Sequence, residues 1–183
     1  LAELLDLPFV RMDMSGVLEL WSVAGAAWGW RGAQSGVAVR AIQESGFANP
    51  LILLDEVEKS GRGPHGSPLN ALLPLLQRET ARTYRCPYLD SVVDLSRVSW
   101  ILLGNSLDRI PAPLLDRVEI FRVRGPEGPE VRQLAQRLLG ETAADHRVID
   151  AVVEAFASGK MSLRGLHRLA GKFREIDNRP QFN

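Results

Sequence analysis

The sequence predicts a parallel α/β sheet flanked by helices, followed by a small all-helical unit. Three apolar runs are predicted to be strands: Phe9–Met14, Leu51–Leu54 and Val98–Leu103. Stretches with helical spacing separate them, and strands that alternate with helices are typical of parallel sheets whose faces are both covered. After the Gly- and Pro-rich segment Gly125–Pro129 the pattern becomes wholly helical.

The domain boundaries follow from that change of pattern. We expect a large α/β domain over residues 1–124, a linker over 125–130 and a small helical domain over 131–183. Three helices are predicted after the linker begins, at Glu130–Leu139, Ala144–Ser158 and Leu163–Glu175.

The elements of the large domain are predicted from chain breakers and periodicity. Pro8 ends a short opening helix, and residues 15–36, rich in Gly, Ala and Trp without a clean period, are expected to form a loop with a functional tip. The helix Val37–Ser45 stops at Gly46. Further elements are a turn-rich loop at 60–68, a helix at Leu69–Glu79 that Pro74 interrupts, a short helix at Pro111–Asp116 and a last strand at Val118–Val123.

Composition and charge argue against several classes of protein. Lys+Arg and Asp+Glu both total 22, so bulk charge gives no reason to expect a nucleic-acid or anionic-membrane partner. The single cysteine, Cys86, cannot form an internal disulfide, which fits a reducing compartment. No apolar run approaches membrane-spanning length, and the first residues lack a signal pattern. We therefore expect a cytoplasmic protein.

Two adjacent carboxylates, Asp55 and Glu56, follow the apolar strand Leu51–Leu54. Parallel sheets bind ligands at this end of their strands. The pattern is that of a Walker B element in a P-loop ATPase, in which the first carboxylate holds Mg²⁺ through water and the second activates the attacking water. The alternative is that the two acids only cap a helix.

Asn105 and Arg117 are the next candidates. Asn105 follows the next buried strand, where its amide can hydrogen-bond a γ-phosphate or the attacking water, although Asn beside Gly is also common in turns. Arg117 follows a Pro-x-Pro segment on a predicted short helix, from which it can reach a neighbouring subunit's nucleotide. A weak local pair with Asp116 or Glu119 is the alternative for Arg117. In the helical domain, Arg164 can swing over the phosphates, with Arg168 as a rival one turn later.

Residues from Phe9 to about Gly125 resemble the AAA+ ATPase module of the Lon-type proteases. The helical tail is similar to that family's lid domain, where Leu163-Arg164 matches the sensor-2 position. The resemblance is carried by Asp55-Glu56-Val-Glu-Lys59 as Walker B, Gly104-Asn105-Ser106 as sensor 1, Val93-Asp-Leu-Ser-Arg-Val98 ahead of the sensor strand, and Ile110-Pro-Ala-Pro-Leu-Leu-Asp-Arg117 as the arginine-finger segment, the most family-specific string.

The resemblance implies a P-loop NTPase that hydrolyses ATP with Mg²⁺. Asp55 would hold Mg²⁺, Glu56 would activate water and Asn105 would sense the γ-phosphate. Arg117 would act in trans, and Arg164 would report from the lid. It also implies a homo-oligomeric ring, expected to be a hexamer, that unfolds or translocates a polypeptide.

Residues Trp30, Arg31 and Gly32 fall where Lon-type modules carry an aromatic–aliphatic–glycine pore loop that grips the polypeptide. Trp30 supplies the aromatic ring, whereas Arg31 departs from the usual aliphatic residue. The alternative is that the tryptophans pack on the protein's own surface. The loop 60–68 falls where a second pore loop lies, with His65 at its tip, and the three histidines have no metal-ligand spacing.

Two parts of the family's machinery do not occur in these residues. The phosphate-binding pattern G-x-x-x-x-G-K-[ST] is absent, and no residue pair resembles the family's Ser-Lys peptidase. The chain also opens at Leu1, inside what reads as the second half of a helix without a capping residue. We therefore expect a piece of a longer ATPase that by itself binds ATP weakly or not at all.

Two other functions stay open. One is a P-loop-less relative that serves as an assembly or interaction subunit, but the presence of Asp55, Glu56 and the Arg117 segment argues against it. The other is an AAA+ remodeller that has no protease domain and acts on a dedicated partner.

Overall fold

The computed structural model describes residues 1–139 and 146–177, apart from the side chains of 176 and 177. The chain divides into two compact units, Leu1–Phe121 and Arg122–Asn183. The predicted limits of the linker, 125–130, stay a prediction.

The first unit contains short helices and strands in alternation. In chain order they are α1 (Ala2–Leu5), β1 (Phe9–Asp13), α2 (Trp21–Ala24), β2 (Gly25–Ala26), β3 (Gln34–Ser35), α3 (Val37–Ser45), β4 (Leu51–Asp55), a 3-10 turn (Val57–Lys59), α4 (Pro68–Leu76), α5 (Arg78–Arg82), β5 (Tyr84–Cys86), β6 (Ser91–Val93), β7 (Ser99–Leu102) and α6 (Ala112–Leu115).

Within the described part of the chain, the main sheet has three parallel strands in the order β1-β4-β7. Its central strand, β4, pairs with both neighbours, so that Leu53 lies beside Arg11 on one side and Ile101 on the other. The parallel α/β architecture expected from the sequence is thereby confirmed. Because the strands run the same way, their carboxyl ends share one edge of the sheet.

Side chains alternate between the two faces of this sheet. On one face Ile52 and Leu54 are fully buried in a core that Val37 of α3, Leu72 of α4 and Leu114 of α6 also build. On the other face, Phe9, Leu53 and Ile101 line a groove of 550 Å³ together with residues of α1. Burial of apolar side chains on the first face is therefore what holds the sheet to its helices.

The predicted last strand, Val118–Val123, is not formed, and that prediction was wrong. Among the described residues β7 is the outermost strand on its side of the sheet, and residues 118–123 pair with no strand. Ile120, Phe121 and Val123 are 45%, 75% and 92% exposed. A strand needs ladder hydrogen bonds to a neighbour, which an apolar β-branched sequence cannot replace.

Three further differences lie in the segments around the helices. Residues 15–36, predicted as a loop, contain α2 and the hairpin β2–β3. A Cβ at Gly36 would lie 2.4 Å from the Val23 carbonyl oxygen, so only glycine fits beside α2. The predicted helix Leu69–Glu79 is divided into α4, which tolerates Pro74, and α5. The hairpin β5–β6 was not predicted.

The described residues of the second unit form three helices, α7 (Pro129–Leu139), α8 (His146–Ala157) and α9 (Leu163–Asp177). All three were predicted to within a few residues, and the predicted start of α8 at Ala144 lies outside the described residues. Their core includes Val131, Ala135, Ile149, Val152 and Leu166, all nearly inaccessible. None of the described helices is long and apolar enough to cross a membrane.

Candidate functional site

The carboxyl edge of the main sheet collects acidic side chains from neighbouring strands. Asp13 ends β1 directly beside Asp55, which ends β4. The backbone N–H of Met14 donates to the Asp55 carbonyl oxygen at 2.8 Å, and the N–H of Glu56 donates to Asp55 Oδ1 at 3.0 Å. Asp55 and Glu56 therefore lie where the sequence placed them, at the ligand-binding end of a parallel sheet.

Asp55 is already paired with a cation from the neighbouring strand. Arg11 Nη2 lies 2.5 Å from Asp55 Oδ2, and the Arg11 side chain is 62% exposed whereas that of Asp55 is 23% exposed. An exposed guanidinium of this kind is held weakly, since water and salt compete for both partners. The pair is therefore able to open when a stronger cation competes for the carboxylate.

Glu56 has a left-handed backbone, with φ at 53°, which is uncommon for a residue other than glycine. Its Oε1 accepts a hydrogen bond of 2.6 Å from Lys59 Nζ. That hydrogen bond raises the pKa of Lys59 above its ordinary value. The carboxylate is thus set off from the strand by a strained turn and is neutralised by a partly exposed lysine.

Glu58 is a site residue that the sequence did not single out. Its side chain is buried, at 8% exposure, and its Oε1 accepts a hydrogen bond of 3.0 Å from Asn105 Nδ2. Burial raises the pKa of Glu58. Hydrogen bonds from the backbone N–H groups of Glu58 and Asn105 and from the Asn105 side chain outweigh burial, so the pKa of Glu58 lies below its usual range. The position of Glu58 in the Asp-Glu-x-Glu pattern was the available signal.

Asn105 is brought to the carboxylate-bearing turn by two backbone hydrogen bonds. The N–H of Leu103 donates to the Leu54 carbonyl at 2.8 Å, and the N–H of Val57 donates to the Leu103 carbonyl at 3.0 Å. These bonds tie the chain just before Asn105 to both sides of Asp55 and Glu56. The structure therefore unites three of the predicted site residues at one edge of the sheet.

Arg117 does not form the local ion pair with Asp116 or Glu119, and its predicted reach to a neighbouring subunit's nucleotide stays a prediction. Its Nη1 donates to the Pro113 carbonyl oxygen, within its own short segment, and its buried Nε has no hydrogen-bond partner among the described residues. No carboxylate in the described part of the chain lies within salt-bridge distance of it, so pairing with Asp116 or Glu119 is not seen. The guanidinium folds back on α6 and keeps an unused donor.

Arg164 lies in the second unit, at the second position of α9, and is exposed together with Arg168. The carboxylate edge lies in the first unit, whereas Arg164 lies in the second. The role predicted for Arg164 stays a prediction.

Trp30, Arg31 and Gly32 form the exposed tip of the segment between β2 and β3. Trp30 is 64% exposed, and its ring meets His65 edge-on with centroids 6.3 Å apart. His65 also faces Trp21 at 5.3 Å. The two loops predicted to be separate pore loops therefore touch through their aromatic side chains.

The described residues provide only part of the ligands that a metal ion needs. No group of three or more His, Cys, Asp or Glu side chains in that part of the chain is placed to hold a metal by itself. Mg²⁺ at nucleotide sites takes one or two carboxylates, with phosphate oxygens and waters completing its shell. Asp55, beside Asp13 at the sheet edge, fits that incomplete donor set.

Comparison with known proteins decides the family. Residues 1–125 match the ATPase family associated with various cellular activities (AAA). The chain belongs to the AAA family. The match covers the sheet, the carboxylate edge, the aromatic loops and the Arg117 segment, which are the parts of the module described above.

Within that family the module is similar to Lon proteases. It is 40% identical over 168 residues to the Lon protease of Frankia alni, covering 90% of this chain and 18% of the relative. It is 36% identical over 164 residues to the mitochondrial Lon protease homolog of Ostreococcus lucimarinus, covering 88% of this chain and 18% of the relative. The predicted resemblance to the AAA+ module of Lon-type proteases is confirmed, and the chain spans less than a fifth of the length of these relatives.

A solved structure supports the fold. The module matches a chain of the closed-state cryo-EM reconstruction of Hsp104 with ATPyS and FITC casein at a TM-score of 0.65 and 17% identity. The match covers 88% of this chain and 34% of that chain. At this identity the likeness concerns the fold, which is that of a P-loop NTPase.

Proposed function

We propose that this module is the ATP-hydrolysing motor of a Lon-like protein, acting in a homo-oligomeric ring, expected to be a hexamer, to unfold or translocate polypeptides. The observation that carries the proposal is the carboxylate edge, where Asp55, Glu56 and Asn105 converge within an AAA-family chain. The similarity to Lon proteases and to an Hsp104 chain reconstructed with ATPyS and FITC casein supports both the nucleotide and the polypeptide. A cytoplasmic location belongs to the same proposal and is supported by the single cysteine, Cys86, which is free.

Asp55 is assigned to the Mg²⁺ of MgATP. When bound, the metal neutralises charge on the phosphoryl oxygens. The Arg11 guanidinium would have to leave Asp55 before the carboxylate could bind the metal through water. Breaking this ion pair costs little free energy, because Arg11 is exposed. Asp55 is fixed in place meanwhile, because the backbone N–H of Glu56 holds Oδ1.

Glu56 is assigned to the attacking water, from which it accepts a proton or a hydrogen bond. In the described conformation its Oε1 is occupied by Lys59. The Lys59 ammonium therefore has to move before Glu56 acts as a base, and a lysine with half of its side chain exposed can do so. Asn105 is assigned to the γ-phosphate or the attacking water from the adjacent strand end.

Arg117 and Arg164 are assigned to nucleotide contacts that need other parts of the assembly. Arg117 pairs with no carboxylate among the described residues, which supports a role of its charge toward a neighbouring subunit's phosphates. Arg164 is exposed on α9, from which it is assigned to report the nucleotide state to the helical unit. Trp30, with Arg31 and Gly32, is assigned to the polypeptide in the ring's pore.

The first test is Glu56→Gln in the full-length protein, meaning the natural polypeptide in which these residues occur, whatever its length. ATP should stay bound while turnover falls by about a hundredfold or more, the usual contribution of a positioned base. Glu79→Gln, at an exposed position of α5, is the matched control. Unchanged turnover in Glu56→Gln would remove Glu56 from the reaction.

These 183 residues alone are expected to bind ATP weakly or not at all. The pattern G-x-x-x-x-G-K-[ST] that cradles phosphates does not occur among them. A titration of this chain with a fluorescent ATP analogue should show no saturable binding in the micromolar range. Micromolar affinity would contradict this expectation.

The second candidate function is an assembly or interaction subunit without ATPase activity. It is favoured by the occupation of both carboxylates, Asp55 by Arg11 and Glu56 by Lys59. Ring formation by the full-length protein without any ATP turnover would establish this function over the first. An AAA+ remodeller without a protease domain would instead turn over ATP while cleaving no peptide.

A further inference from the structure

The buried carboxylate of Glu58 acts on one side chain of the site. Oε1 accepts from Asn105 Nδ2 at 3.0 Å, whereas Oε2 is inaccessible and has no hydrogen-bond partner among the described residues. A buried acceptor without a partner is costly, so the conformation of Glu58 is held by its surroundings, by the side-chain bond to Asn105 and by the backbone N–H groups of Glu58 and Asn105.

We propose that Glu58 is a positioning residue for ATP hydrolysis, holding the Asn105 amide by Nδ2 so that Oδ1 and the second N–H are presented to the nucleotide side of the sheet edge. The proposal rests on the proposed function, since it concerns the reaction assigned to Asp55, Glu56 and Asn105. It adds a residue to that site and selects one orientation of an amide whose two ends are otherwise interchangeable.

The orientation follows from donor and acceptor chemistry. An ionised carboxylate only accepts hydrogen bonds, so the amide atom that faces it has to be the nitrogen. The pKa of Glu58, which lies below its usual range, keeps this carboxylate ionised at neutral pH. One Asn105 N–H is thereby used, and Asn105 itself is exposed, so its remaining polar atoms are free to meet a ligand or water.

Gly104 provides the space that the carboxylate needs. A Cβ at Gly104 would lie 2.9 Å from Glu58 Oε2 and 3.4 Å from Val57 Cγ2. The first contact is too short, but it involves the end of a flexible side chain, which can move away at little cost to the fold. Gly104→Ala should therefore displace the Glu58 carboxylate and release Asn105, while both of those residues stay unchanged in sequence.

The experiment measures steady-state ATP hydrolysis by the full-length protein carrying Glu58→Gln, Gly104→Ala, Asn105→Ala, or both Glu58→Gln and Asn105→Ala. Glu79→Gln is the surface control, and thermal melts confirm that each variant is folded. Glu58→Gln and Gly104→Ala should each lower kcat by roughly tenfold, with KM changed by less than about twofold, as expected for a misplaced catalytic contact. In the Asn105→Ala background, Glu58→Gln should add almost nothing.

Other outcomes would overturn the proposal. Equal losses from Glu58→Gln in the wild-type and Asn105→Ala backgrounds would mean that Glu58 does not act through Asn105. Wild-type kcat in both Glu58→Gln and Gly104→Ala would mean that the orientation is irrelevant, even if Glu56→Gln and Asn105→Ala abolish turnover and the proposed function stands.

A measurement without ATP separates the positioning role of Glu58 from the proposed ATPase function. The Tm shifts of Glu58→Gln and Asn105→Ala should be non-additive, because the two residues share one hydrogen bond. Additive shifts would show that the bond is absent and would overturn the positioning role whatever the ATPase result. Non-additive shifts in a protein without turnover would refute the proposed function and the positioning role, while keeping the contact.

Discussion

The indole ring of Trp30 meets the imidazole ring of His65 edge-on, with their centroids 6.3 Å apart. The loop that carries His65 is tied to the segment before α2, because the N–H groups of Gly61 and Gly63 donate to the carbonyls of Val17 and Leu18 at 2.9 Å each. The loop that carries His65 therefore packs against the loop that carries Trp30 and supports it.

This contact leads to a prediction about Trp30 as the gripping residue. In the full-length protein, Trp30→Ala should slow the unfolding of a tagged protein substrate by about tenfold or more, and His65→Ala should slow it less, since an aromatic pair contributes only about 0.5–1.5 kcal/mol. Basal ATP hydrolysis should stay within about twofold. The measurement compares substrate unfolding and ATPase rates in the same preparations.

Trp28 offers a matched control for that prediction. It lies two residues away, is 77% exposed and packs edge-on against Tyr88 rather than His65. Trp28→Ala should leave substrate unfolding near the wild-type rate. If Trp28→Ala and Trp30→Ala were equally impaired, a general role of the hairpin would be indicated instead of a grip by Trp30.

Arg117 should complete the site of a neighbouring subunit. Arg117→Ala alone and Glu56→Gln alone should each be nearly inactive, since an arginine finger contributes on the order of a thousandfold or more. In mixed rings, a Glu56 from one subunit can meet an Arg117 from the next, so mixing the two variants should restore part of the ATPase activity. The activity is measured across mixing ratios.

Arg109→Ala serves as the control for the mixing experiment, because Arg109 is exposed just before α6 and should not change the rate. If mixtures of Arg117→Ala and Glu56→Gln proteins were never more active than either alone, action of Arg117 in trans would be ruled out.

Tyr84 should make the first unit lose stability at high pH. Burial, assisted by the nearby Cys86, raises the pKa of Tyr84 to about 12, and its hydroxyl donates to the Ala24 carbonyl at 3.2 Å. In the unfolded chain the pKa is about 10. The stabilisation is therefore complete below pH 10 and is lost as the pH rises from about 10 to about 12.

Urea unfolding at pH 8 and at pH 11 measures this effect. Tyr84→Phe should lower the free energy of unfolding at pH 8 by about 1 kcal/mol, the usual value of one hydrogen bond, and should reduce the alkaline loss. Tyr88→Phe is the control, since Tyr88 packs by its ring against Trp28. An equal alkaline loss in wild-type protein and Tyr84→Phe would contradict the assignment to Tyr84.

The open side of β7 should promote self-association of this chain. Unpaired strand edges bind other chains; β7 has no strand on its far side among the described residues, and Phe121 and Val123 are 75% and 92% exposed. Phe121→Lys combined with Val123→Lys should shift the chain toward monomer in light scattering after size exclusion. Replacing the exposed Leu4 of α1 by Lys is the comparison, and an equal shift there would point to a general effect of exposed apolar side chains.

The sequence predicted the elements whose cause is local. The helix Val37–Ser45 has the predicted bounds, because an apolar period and the glycine that ends it are adjacent in the chain. The carboxylates Asp55 and Glu56 were located for the same reason, since an apolar strand and the acids that follow it can be recognised without any tertiary contact.

What only the tertiary structure decided depends on residues far apart in the chain. Glu58 binds Asn105 across 47 positions, and Trp30 meets a histidine of another loop. Val118–Val123 has the composition of a strand and remains unpaired, because pairing depends on a neighbour rather than on its own residues. The sequence by itself determined which residues lie at the sheet edge. Tertiary packing alone determined which partner each of their side chains binds.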